Sequence, residues 1–122
     1  YLGGRGLRYA FVDGTGIAGL AAVLPASGFP SAYLEIRFRA DCTVQTTWEA
    51  AREFVRTLLD GQNFTRLYTV VPEFDRRGFQ LWSQCGFTVE AVLREYVFRD
   101  NRWCDSRLMS LVASRQPGEG DQ

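Results

Sequence analysis

The sequence predicts an α/β fold of the α+β kind, a mixed layered sheet with two helices in the order β-β-β-α-β-α-β-β. Three observations predict it. Ala32 to Arg39 alternates, with Leu34, Ile36 and Phe38 on one face and Tyr33, Glu35, Arg37 and Arg39 on the other, as in a half-covered strand. Trp48, Ala51, Phe54, Val55, Leu58 and Leu59 recur at helical spacing. Asp75 to Ser114 reads as a short amphipathic helix, a Gly-Phe stop and two strands joined by a tight polar turn.

The elements follow in order. Tyr1 to Gly6 is a loose glycine-rich leading segment, and Leu7 to Val12 a strand. Asp13-Gly14-Thr15-Gly16 supplies hairpin chemistry, since Asp-Gly tolerates positive φ. Ile17 to Leu24 is apolar nearly throughout, a buried strand with Gly19 at a bulge or close contact. Pro25 to Ser31 breaks it before the alternating strand. Thr46 or Thr47 is expected to cap the first helix, and Gly61 to stop it. Arg66 to Val71 is a strand, and Asp75 to Cys85 a second helix ending at Gly86. Phe87 to Phe98 and Trp103 to Ala113 form a long hairpin across Asp100-Asn101.

With 122 residues, 46% of them hydrophobic and 14% aromatic, the chain is long enough for one core. A single domain over 1–114 is expected, with a disordered tail over 115–122 rich in glycine, proline and charge. Fourteen acidic and fourteen basic residues give a formal net charge of zero, which argues against general attraction to nucleic acid or anionic membrane. No apolar run approaches the ~18 residues that span a bilayer. Histidine is absent, which removes Ser-His and Cys-His nucleophile pairs and the commonest zinc ligand. Cys42, Cys85 and Cys104 match neither a disulfide framework nor a paired metal motif, so reduced thiols and a cytoplasmic location are expected, with no metal site.

The stretch Leu81-Trp82-Ser83-Gln84-Cys85-Gly86-Phe87, then Val92-Leu93-Arg94-Glu95, Asp100-Asn101-Arg102-Trp103, Asp105 and Leu108-Met109-Ser110-Leu111, resembles the GNAT superfamily. The likeness is to the branch that acetylates ribosomal-protein amino termini and some antibiotics. It implies an acyl-CoA N-acyltransferase-like fold with a mostly antiparallel sheet. It also implies transfer of an acetyl group from acetyl-CoA to a primary amine, on a protein N-terminus or a small molecule. Gly86 would take the left-handed helix stop, and Phe87 would lock the helix to the sheet.

In this family the strands equivalent to the third and fourth here hold the pantetheine arm, and the next loop and helix start bind the diphosphate, where free N–H groups and the helix dipole meet an anion. The family loop is glycine-rich. Here Asp41-Cys42-Thr43-Val44-Gln45-Thr46-Thr47 stands in its place, shorter and without glycine, and Asp41 adds negative charge. The resemblance implies cofactor contacts from Arg37, Thr43, Val44, Gln45, Thr46, Thr47 and Asp75, the last replacing a family asparagine. An ordinary Thr-capped helix is the alternative reading of the loop.

Glu35 stands where many relatives place a glutamate that deprotonates the amine through water, and is the candidate base. A surface carboxylate paired with Arg37 or Arg39 is the alternative. Trp82 falls where many members carry a proton-donating tyrosine; indole has no suitably acidic proton, so Trp82 is expected to pack. Tyr33 and Tyr96 are further cleft-lining candidates. The resemblance also implies that a first strand and two helices are missing on the amino-terminal side. An exposed edge at Leu7–Val12, or the terminal hairpin, would then favour a homodimer. The competing function is a non-catalytic GNAT-like binding or assembly module that has lost coenzyme A.

Overall fold

The computed structural model describes residues 6–61 and 64–113; the expected disordered tail lies outside them. Strands β1 (Leu7–Asp13), β2 (Gly16–Pro25) and β3 (Ser31–Phe38) precede helix α1 (Val44–Gly61). Strand β4 (Arg66–Pro72), helix α2 (Arg76–Gln84), and strands β5 (Thr88–Arg99) and β6 (Arg102–Val112) follow. The six strands form one sheet in the order β1-β2-β3-β4-β6-β5. Only the β3–β4 pair is parallel. Element order and mostly antiparallel pairing match those expected.

Both helices pack on the same face of the sheet. Leu34 and Leu67 from the middle strands and Met109 from β6 are fully buried there, against Ala51, Val55 and Leu58 of α1 and Leu81 and Trp82 of α2. The β3 alternation sorts as expected: Ala32 and Leu34 are buried, while Glu35 and Arg37 are exposed on the other face. Ala22 and Leu20 of β2 stand opposite Glu35 and Arg37, and Leu20 is 58% exposed, so helices leave this second face uncovered among the described residues.

Turns follow the local chemistry. The Asp13 carboxylate accepts from the Thr15 N–H at 2.8 Å and its hydroxyl at 2.7 Å, closing the first hairpin. Asp100 and Asn101 have φ of 53° and 66°, the paired positive angles of a two-residue turn whose twist suits a hairpin. Gly86 has φ 96°, and the Phe87 N–H donates to the Trp82 carbonyl at 3.0 Å, the expected helix stop. The Phe87 ring lies 4.8 Å from Trp82 and is buried, so it does lock α2 against the sheet.

Gly19 shows why that position has no side chain. A Cβ there would sit 2.7 Å from both the Arg37 carbonyl and the Phe38 ring. The β1–β2 register also slips there, passing from Phe11↔Gly19 to Val12↔Ile17.

The first helix begins earlier than expected. Thr43, rather than Thr46 or Thr47, caps it: the Thr43 Oγ1 accepts from the Thr46 N–H at 3.2 Å. Thr47 is already inside the first turn, where its hydroxyl donates to the Val44 carbonyl at 2.7 Å.

Leu67 is wholly buried in the central strand β4. Leu67→Ala is expected to destabilise the fold by about 2–5 kcal/mol, read as a lower urea midpoint with an unchanged m-value. A loss below ~1 kcal/mol would mean that the core around β4 collapses onto the gap.

Candidate active site

Strands β3 and β4 pair only over Ser31–Tyr33 and Arg66–Tyr68. Beyond that they diverge. At the point of parting, the buried Thr69 hydroxyl donates to the Leu34 carbonyl at 2.8 Å, so a side chain satisfies an acceptor that a continuing ladder would have used. The result is a V-shaped opening in the middle of the sheet.

Two cavities occupy it. The first, about 410 Å³, is lined by Tyr33, Glu35, Ile36 and Arg37 of β3, Thr69 to Pro72 of β4, and Phe74, Asp75, Trp82 and Arg99. The second, about 270 Å³, runs from Ile36–Ala40 to Thr47 of α1 and Asp75, Arg77, Gly78 and Leu81 at α2. Ile36, Arg37 and Asp75 line both, so the two form one groove from the sheet centre to the helix starts.

Of the expected site residues, Glu35, Arg37, Thr47 and Asp75 line this groove. The remaining four do not appear on its walls. Val44 opens α1, the hydroxyls of Thr43 and Thr46 bond each other at 2.8 Å, and Gln45 donates to Glu49 at 3.0 Å. Asp75 caps α2, its Oδ1 accepting from the Gly78 N–H at 2.9 Å. Trp82 packs in the core at 5% exposure while one part of it reaches the cavity wall.

Glu35 forms no ion pair with Arg37 or Arg39 among the described residues. Its carboxylate instead accepts from the Tyr33 hydroxyl at 3.3 Å. Glu35 is exposed. Burial first, then the adjacent Glu35 carboxylate, push the Tyr33 phenol up to about 12. Tyr68 and Tyr96 also bear on it, and the Tyr33 and Tyr68 rings lie 5.6 Å apart. Tyr33, Tyr68 and Glu35 thus cluster at the parting of β3 and β4, while Tyr96, expected to line the cleft, does not appear on the cavity wall.

Tyr96 is carried by an irregularity in β5. The register jumps from Leu93↔Ser106 to Val97↔Cys104, so three residues of β5 face one of β6. Glu95 has φ 48°, and its N–H donates to Asp105 Oδ1 at 2.9 Å. Asp105 is tied in turn to Glu73, its N–H donating to Glu73 Oε2 at 2.7 Å and its carbonyl accepting from the Glu73 N–H at 2.9 Å. One aspartate therefore joins the β5 bulge to the loop below β4.

The loop from β3 to α1 is held by Arg39. Its guanidinium donates to Asp41 at 2.6 Å, the Ile17 carbonyl at 2.9 Å and Asp13 at 3.0 Å. The Asp41 charge is therefore matched by Arg39. Sequence reasoning missed Arg77, Arg99 and Phe74 as groove residues, although Arg99 lies 4.1 Å over the Phe74 ring. Their spacing carried no signal, because tertiary pairing of β3, β4 and the hairpin brings them together. No group of three or more metal-ligating side chains occurs among the described residues, and no helix there is long and apolar enough to cross a membrane.

No protein-family model matches the chain, and no curated protein matches its sequence. Solved structures do match. Spermidine N-acetyltransferase from Vibrio cholerae, in complex with CoA and spermine, superposes with TM-score 0.82 at 19% identity, over 92% of this chain and 68% of that one. A mutant form of the same enzyme gives 0.83 at 18% identity, over 98% and 72%. Ribosomal-protein-S5-alanine acetyltransferase from Vibrio fischeri gives 0.77 at 15% identity, over 93% and 65%. The fold is the acyl-CoA N-acyltransferase fold that these GNAT acetyltransferases share.

The Tyr33 phenol provides a check on the groove. Its proton is held more tightly in the folded chain, so its contribution to stability is complete below pH 10 and lost as pH rises towards 12. Ultraviolet titration is expected to show one tyrosine with a midpoint near 12 that Tyr33→Phe removes. A Tyr33 midpoint at the ordinary 10 would contradict its burial beside Glu35.

Proposed function

We propose that the chain is an N-acetyltransferase that moves an acetyl group from acetyl-CoA to a primary amine. The observation that carries this reading is the groove opened where β3 and β4 part. Two facing strand edges without a partner strand offer backbone donors and acceptors to an extended molecule that carries its own amides. The pantetheine arm of coenzyme A is such a molecule. The fold likeness to acetyltransferases, one of them bound to CoA, supports the same choice.

In this reading the thioester lies in the larger cavity beside Glu35, and the acceptor amine comes to it from the uncovered face of the sheet. An amine that is protonated at neutral pH must lose a proton before it attacks. Glu35, exposed and bonded to Tyr33, takes that proton through a water molecule. The nitrogen then attacks the thioester carbon, the C–S bond breaks, the new amide nitrogen releases its second proton to solvent, and the thiolate takes one up. Tyr33, with a pKa of about 12, keeps its own proton and serves to orient the carboxylate. Trp82 walls the cavity and donates no proton in this chemistry. Much of the rate comes from holding amine and thioester together.

The alternative of a non-catalytic assembly module is not favoured, because the groove is open rather than filled by side chains. The acceptor is a protein amino terminus or a small-molecule amine; one group of fold neighbours is named for spermidine, and one of its structures holds spermine.

Acetyl-CoA at a hundred times its Kd is expected to stabilise the folded chain by about 2.7 kcal/mol, read as a raised melting temperature. No change in Tm at millimolar acetyl-CoA would end the proposal. Glu35→Gln is expected to lower kcat by about a hundredfold or more, with the KM for acetyl-CoA unchanged. An undiminished kcat across the pH range would remove Glu35 from the proton path.

A further inference from the structure

Diphosphates usually bind a loop where glycines let the backbone come close. The Arg39–Thr43 loop has a side chain at every position, and its one arginine is spent on Asp13, Asp41 and the Ile17 carbonyl. Positive charge for an anion at this end of the groove has to come from elsewhere. The 270 Å³ cavity supplies it in Arg37 from β3 and Arg77 from α2. Neither makes an ion pair or a side-chain hydrogen bond among the described residues, and both are exposed. The one carboxylate that shares their cavity is Asp75, and its Oδ1 already accepts from the Gly78 N–H.

We propose that Arg37 and Arg77 form a two-armed guanidinium clamp for a diphosphate, replacing the backbone cradle that this loop lacks. A guanidinium binds phosphate oxygens through paired N–H donors at the end of a long side chain. The ligand therefore stays clear of the loop backbone, and a Cβ at each loop position costs nothing. Arg37 lines both cavities, so the clamp sits where the narrow end of the groove meets the wide one. That the anion is the diphosphate of a coenzyme A thioester rests on the acetyltransferase reading; the two guanidiniums in one cavity, unpaired among the described residues, do not.

The test is calorimetric titration of the whole chain with inorganic diphosphate, with coenzyme A, and with pantetheine, which has no diphosphate. Arg37→Ala and Arg77→Ala are each expected to weaken diphosphate and coenzyme A by about tenfold, the scale of one charge-assisted contact. Pantetheine affinity stays unchanged, Arg77→Lys recovers part of the loss, and Arg56→Ala on α1 has no effect. Added salt weakens the wild type more than either variant. Circular dichroism and Tm confirm that each variant is folded. If the wild type binds no diphosphate, the clamp is wrong. If coenzyme A binds the wild type and both alanine variants equally, the clamp falls and the acetyltransferase reading stands. If diphosphate binding depends on both arginines but coenzyme A does not bind, the clamp stands and that reading falls.

Discussion

The interrupted pairing of β3 with β4 is the constraint on which the rest of the molecule turns. Parallel strands in a sheet normally continue to bond until one of them ends. Here the ladder stops after Tyr33 and Tyr68, and the Thr69 hydroxyl takes the Leu34 carbonyl. Splitting a sheet leaves backbone groups without partners, a cost that water or a ligand must offset. The split therefore places a polar slot inside an otherwise apolar architecture.

The β1–β2–β3 half rests on α1, with Tyr9 and Phe11 each meeting Phe54 edge to face, at 5.1 Å and 5.5 Å. On the other half, β4, β6 and β5 hold α2 through Trp82, Phe87 and Met109. Within the halves, Arg39 fixes the loop entering α1, while Asp105 and Glu73 fix the loop leaving β4. Exposed ion pairs such as Arg39 with Asp13 contribute little stability singly; their value is in setting where the loops lie.

Much of this was legible in the sequence. The strand alternation of Ala32–Arg39, the glycine stop at Gly86 and the Asp100-Asn101 turn each have one local physical solution, and the chain adopts it. The cap of α1 was not legible, because Thr43, Thr46 and Thr47 are all competent. Only the backbone path out of β3 decides that Thr43 does the work. The split followed only from the resemblance, which implies that these two strands hold a pantetheine arm; Thr69 sits among ordinary β-formers, and nothing local announces that its hydroxyl bonds across to Leu34. Within the groove, Glu35, Arg37 and Asp75 could be placed by resemblance. Arg77 could not, because the surface that gives it meaning belongs to β3.

The β5 bulge carries a consequence for the sheet's outer margin. β5 is a terminal strand of twelve residues, long enough to template a foreign strand. The Asp105 carboxylate holds Glu95 in a left-handed kink near its middle, so the row of outward amides changes phase there. A straight newcomer laid along this margin stays in step with one half and falls out of step with the other. A single buttressed kink thus cuts one long adhesive border into two short ones.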